Sequence, residues 1–182
     1  MRPSSRTLIL EAALRVAGRR GIGSLTLDAA AQEAGVSKGG LIYHFASKEQ
    51  LMLGVVEHLI AGWDQAMLTE LGRPFDETSA AERVRAYCHV ITGATTGRAD
   101  LAILVDAVHD DGLLQPWRAL QERWLGVPPA VPDPRSVDLA LARLAADGLW
   151  LADASDSGGF STRTRAAIIA RIAALAGGEE EA

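Results

Sequence analysis

Aromatic side chains make up only 5% of the 182 residues, and no convincing strand pattern or internal repeat is present. Strand-rich chains lean on β-branched and aromatic residues, so this scarcity, set against abundant Ala and Leu, favours helices. Cysteine occurs once, at Cys88. That excludes an intramolecular disulfide and suits a reducing cytoplasm. No stretch approaches the roughly 18 apolar residues of a membrane span. Arg2 and Arg6 are followed by Leu8–Leu10 running straight into Glu11, which is no signal-peptide core. A soluble, cytoplasmic protein without a membrane partner is expected. A phosphate loop, a dinucleotide fingerprint and a hydrolase elbow are also missing, so no enzyme, catalytic residue or cofactor is expected.

Hydrophobic residues account for 48% of the chain, enough for a folded core. Net charge is −5, which by itself argues against nucleic acid. The average conceals a split. Residues 1–48 hold seven Lys/Arg and three Asp/Glu, a net +4, and the remainder carries −9. A basic head on an acidic body fits a protein that touches phosphates with one end.

Helical periodicity runs through nearly the whole chain. Residues 4–20 place Ile9, Ala12, Ala13 and Val16 on one face before Gly21. Short helices follow at about 27–34 and 38–44, then a long one over 48–71, opened by a capping box in which Ser47 caps and Gln50 reaches back. That helix carries Leu51, Val55, Val56, Leu59, Ile60, Trp63 and Met67 as an apolar stripe. A second capping box, Ser79 with Glu82, opens a helix over 80–96. Further helices are expected at 99–109 and 115–125, with Gly112 and Pro116 as punctuation ahead of the latter. After the Pro-rich connection 127–135, Asp133 caps a helix over 134–153, with Pro134 in its first turn. The last helix covers 161–176, and residues 177–182 form an acidic tail. The reading is all-α: a three-helix head (1–47) and a bundle of about six helices (48–182), about nine in all.

Residues 24–51 are the informative segment, with the physics of a helix–turn–helix. Ala30 and Ala31 are small enough for close helix approach. Gly35 supplies a left-handed turn. Val36 fills the angle between the helices, and Leu41, Ile42 and Phe45 anchor the second one. Such a pair puts its second helix in the major groove of double-stranded DNA. Lys38, Tyr43, His44 and Lys48 can donate to phosphates or bases. Thr26, at a helix start, offers a phosphate site. Ser37 caps the second helix, and Gly39 and Gly40 permit close backbone approach while offering no base contact of their own.

The run Ala-Gly-Val-Ser-Lys-Gly-Gly-Leu-Ile-Tyr-His-Phe over 34–45, followed by Ser-Lys-Glu, resembles the signature of the TetR family of transcriptional regulators. The resemblance covers about residues 6–55. It implies that Thr26, Lys38, Tyr43, His44 and Lys48 contact an operator, that the body binds an inducer, and that the last two long helices build a homodimer. The function expected is a ligand-responsive repressor that binds a palindromic operator. The alternative is an interaction module controlled by a protein partner, without a defined operator.

In the body, Trp63, Met67, Tyr87, Asp106, Trp117, Trp124 and Trp150 are the candidates to line a pocket for a small lipophilic effector. His58, His89 and His109 are further polar candidates. Asp106 and His109, three apart with Asp110 adjacent, are too few for a metal site, and no metal is expected. Cys88 and His89 point about 100° apart, so they form no nucleophile pair, and Cys88 falls on the apolar stripe with Val84 and Ile91. Residues 134–153 and 161–176 are the expected dimer helices. Val137, Leu141, Leu144, Gly148 and Leu151 make one stripe, and Ile168, Ile169, Ile172 and Leu175 another. Either stripe could face a symmetry mate or close the chain's own core.

Overall fold

The computed structural model describes residues 4–93, 97–126 and 129–177. Those residues form nine α-helices: α1 (Ser5–Arg20), α2 (Leu27–Ala34), α3 (Lys38–His44), α4 (Lys48–Leu71), α5 (Ala80–Gly93), α6 (Gly97–Ala107), α7 (Asp111–Leu125), α8 (Pro134–Ser155) and α9 (Thr162–Gly177), with single 3-10 turns at Ile22–Ser24 and Phe75–Glu77. The end of the expected 80–96 helix, part of the Pro-rich connection and most of the acidic tail lie outside the described residues.

The local signals explain most boundaries. Ser4 accepts the N–H of Thr7 and starts α1; Gly21 ends it at φ 77°. Ser79 and Glu82 exchange the expected hydrogen bonds at the head of α5. Asp133 and Ser136 do the same at the head of α8, with Pro134 at its first turn. Two details differ. Gln50 reaches back to the N–H of Ala46 (2.9 Å), one residue beyond the expected Ser47, while Ser47 Oγ accepts the N–H of Gln50. And α7 starts at Asp111, four residues early, with Pro116 inside it. Asp110 Oδ1 accepts the N–H groups of Gly112 and Leu113, which fixes the first turn ahead of the proline. Pro116, the sixth residue of α7, has no N–H to give the carbonyl of Gly112, a loss that the helix carries in its second turn.

Two compact units result, one of Met1–Gly62 with Arg98–Arg118, the other of Trp63–Gly97 with Ala119–Ala182. In the first, Ile9, Leu10, Ala13, Leu25, Leu41, Leu51, Val55 and Val56 are almost fully removed from water. Each of the Leu, Ile and Val side chains contributes about 1.5–3 kcal/mol by burial. In the second, α5, α8 and α9 pack on one another around Val84, Cys88, Ile91, Ala146, Leu149 and Ile172. Arg135, in the first turn of α8, donates to the carbonyls of Leu175 and Ala176 and so satisfies the end of α9.

Candidate nucleic-acid interface

The interface begins at Thr26, whose hydroxyl accepts the N–H of Ala29 (3.0 Å) and caps α2. Ala30 and Ala31 are buried, as close packing of short helices requires. Gly35 sits at φ 68°, ψ 28°, and the N–H of Val36 returns to the carbonyl of Ala31 (3.0 Å). Left-handed backbone is strained for other residues, so glycine fits the turn. Ser37 then caps α3 by accepting the N–H of Gly40 (3.0 Å).

Within α3, Leu41 is fully buried and Phe45 follows it one turn later into the same core. Ile42 was expected beside them as an anchor, and here the expectation fails: it is 41% exposed. One residue further along a helix turns the side chain about 100°, away from the Leu41–Phe45 face. The outward surface therefore comprises Lys38, Gly39, Ile42 and Tyr43. Tyr43 is 86% exposed, with His44 edge-on to its ring at 5.2 Å. A Cβ at Gly39 would meet nothing within 4 Å, whereas one at Gly40 would come within 3.2 Å of Ser37 Oγ.

The head's cations are less available than their number suggests. Glu33 takes both Arg15 (3.0 Å) and Arg19, and the Arg15 hydrogen bond foremost holds its carboxyl below the usual range. Lys38 pairs with Asp28 at 2.9 Å, and Arg6 lies 3.9 Å from Glu57 and over the Phe45 ring. Among the described residues, Lys48 makes no ion pair and is exposed at the start of α4, where a cation opposes the helix dipole. That leaves Lys48 and Arg20, which is likewise exposed and unpaired among the described residues, with the Tyr43 and Thr26 hydroxyls, His44 and the helix-start N–H groups as anion-directed chemistry.

The effector candidates are dispersed. Trp63 and Trp150 meet edge-on at 5.9 Å, and the indole N–H of Trp150 is buried without a hydrogen-bond partner. Trp124 donates to Asp64 (2.8 Å), stacks edge-on with Phe75, and shares Asp64 with Arg123. Met67 is fully buried. Tyr87 donates to Asp147 (2.6 Å), which Arg143 approaches at 3.5 Å. Asp106 and Trp117 belong to the first compact unit, on α6 and α7. His89 pairs with Glu70 (2.7 Å) and is exposed, whereas Cys88 is buried. Among the described residues, no three His, Cys, Asp or Glu side chains gather as a metal site.

Sequence reasoning missed Asp147 and Asp64 as partners, because each is joined to a residue 60 positions away. It also missed Gly54, where a Cβ would fall 2.7 Å from Phe45 Cε1. Burial raises the Asp147 carboxyl above the usual range, and pushes the Tyr87 hydroxyl up with it. Burial, with Asp147 nearby, pushes the Cys88 thiol up to about 12.

The family described as bacterial regulatory proteins, tetR family, matches residues 9–55, and the tetracyclin repressor-like C-terminal domain matches residues 81–177. Among curated relatives, the HTH-type transcriptional regulator BetI of Agrobacterium fabrum is 33% identical over 110 residues, 59% of this chain and 53% of its own. BetI of Brucella anthropi is 34% identical over 73 residues, 40% of this chain and 38% of its own. The chain thus spans about half or less of the length of these relatives. A solved structure from Rhodococcus sp., assigned to the TetR-family transcriptional regulators, superposes with a TM-score of 0.71 at 20% identity, covering 94% of this chain and 98% of that one. The multidrug binding protein EbrR, complexed with ethidium, superposes at 0.62 and 22% identity, covering 94% and 99%. At such identities these structures share the fold. Among the described residues, no helix is long and apolar enough to cross a membrane.

Proposed function

The chain belongs to the TetR family of bacterial regulatory proteins, and from that premise we propose that it is a cytoplasmic, ligand-responsive repressor that binds a palindromic operator as a homodimer. The observation that carries the reading is the outward face of α3. A seven-residue helix capped by Ser37 holds Tyr43 almost wholly in solvent beside two glycines that let the backbone approach a groove. Residues 1–47 are the DNA-binding part, with Thr26, Ser37, Lys38, Gly39, Gly40, Tyr43, His44 and Lys48 in contact with the duplex. Phosphate contacts position the head, and groove width and spacing supply much of its selectivity.

Dimerisation is supported by α8. Val137, Leu141, Leu144 and Leu151 are all exposed on the side of α8 opposite Ala142, Ala146 and Leu149. An exposed apolar stripe of that length seeks cover. With α9 it gives a four-helix, two-fold interface, placing two α3 helices about 34 Å apart in successive major grooves.

Release by a small lipophilic effector is the finer part of the proposal. EbrR, a neighbour in fold, is a multidrug binding protein seen with ethidium. Here the Trp63–Trp150 contact and the unpartnered indole N–H of Trp150 offer apolar area and one donor, the usual make-up of a ligand site. Met67, Tyr87 and Trp124, of the same compact unit, are the other proposed contacts. An effector acts by preferring the state that does not fit the operator, and α4, unbroken from Lys48 to Leu71, carries the displacement to its start.

A second reading, a module controlled by a protein partner and lacking a defined operator, is favoured by one observation: Arg6, Arg15, Arg19 and Lys38 are already paired with acids. Selection of the protein against random duplex DNA at near-physiological salt separates the two. An enriched inverted repeat supports the repressor. Salt-sensitive bulk binding without enrichment overturns it and leaves the module.

A further inference from the structure

We infer that Ile42 reads thymine in each operator half-site, through the C5-methyl group. The inference rests on the DNA-binding reading above and names the residue that carries part of its specificity.

Ile42 is the one large aliphatic side chain of residues 24–47 that the fold leaves exposed; Leu25 and Leu41 are fully buried and Phe45 nearly so. It lies one turn after Lys38 and next to Tyr43, in the middle of the outward face of α3. Its position is well defined, since a β-branched side chain on a helix has one strongly preferred rotamer. It has no donor or acceptor. On the floor of the major groove the apolar feature among the four bases is the thymine methyl, so a hydrocarbon there selects thymine. Cytosine at the same place would instead have its amino group cut off from water without a partner, which is unfavourable. The two glycines before Ile42 extend the argument. Gly39 has open space around it and no packing reason to lack a side chain, so the first turn of α3 can approach the base edges closely enough to seat Ile42.

The test starts from the operator recovered by selection. Each thymine is replaced in turn by deoxyuridine, which removes the methyl and keeps the base pair. Wild type and Ile42→Ala are titrated against every duplex. The expected result is one thymine per half-site whose demethylation weakens wild type roughly fourfold, the worth of one buried methyl, while Ile42→Ala binds both duplexes alike. Ile42→Val keeps methyl groups at the same branch and retains the sensitivity. A scan that is flat for wild type, or identical for wild type and Ile42→Ala, overturns the inference and leaves the repressor standing. Failure to recover any operator overturns the repressor reading itself, and this inference with it.

Discussion

Gly39 and Gly54 are both helical glycines, yet their surroundings predict opposite outcomes on substitution. Nothing lies within 4 Å of a Cβ built at Gly39. Gly39→Ala should therefore keep or raise the thermal midpoint, because alanine is about 1 kcal/mol better in a helix, while operator affinity falls as the added methyl props α3 off the groove. A Cβ at Gly54 would strike the Phe45 ring at 2.7 Å and the Leu10 side chain at 3.2 Å. Gly54→Ala should cost about 1–3 kcal/mol in denaturant unfolding, as overpacking does. Cys88 supplies a third outcome at this scale. A thiol pushed up to about 12 by burial is almost wholly protonated at neutral pH, so it should resist alkylation in the native protein and react on unfolding. The burial of Cys88 was legible from its place on the stripe with Val84 and Ile91, whereas the crowding at Gly54 was not. A glycine inside an apolar stripe gives no sign of which distant ring fills the missing volume.

Among the elements, helix starts were the most legible feature. Ser37, Ser79 and Asp133 were recognised as caps because each hydrogen bond joins groups three residues apart. Asp133 makes this measurable. Its carboxylate accepts the N–H of Ser136 foremost, and its pKa is lowered in the fold. A depressed carboxylate stabilises the folded state above its unfolded pKa of about 3.9, and that contribution is lost as pH falls through the lower folded value. Unfolding measured across this acid range should show a shallower pH dependence for Asp133→Asn than for wild type. Pro116 reads as punctuation ahead of a helix, yet α7 runs through it. Pro116 is the sixth residue of α7, past its first turn, and Asp110, whose carboxylate fixes that start, reads in the sequence as a neighbour of Asp106 and His109. Ile42 was misplaced for a related reason: seven residues are two turns, too few for periodicity to separate an inward face from an outward one.

For the whole molecule, the decisive surface is the outer face of α8. Leu144 is 63% exposed and central to its stripe. Leu144→Glu should leave helix content intact while converting the proposed dimer to monomer in sedimentation, with operator affinity falling sharply because both half-sites are no longer engaged together. If the variant sediments as wild type does, the proposed interface is wrong. By itself the sequence determined the helical class, the turn at Gly35, the caps and the family signature. All of these rest on interactions within a few residues, where spacing along the chain is distance in space. It could not apportion the apolar positions of α8. Tertiary structure did that, turning Ala142, Ala146 and Leu149 inward and Val137, Leu141 and Leu144 outward. It also decided which cations of the head stay available, since Arg15 and Glu33 are 18 residues apart, and which carboxylate receives Tyr87, 60 residues away. Such pairings depend on how helices pack side by side, and the periodicity of a single helix carries no record of its neighbours.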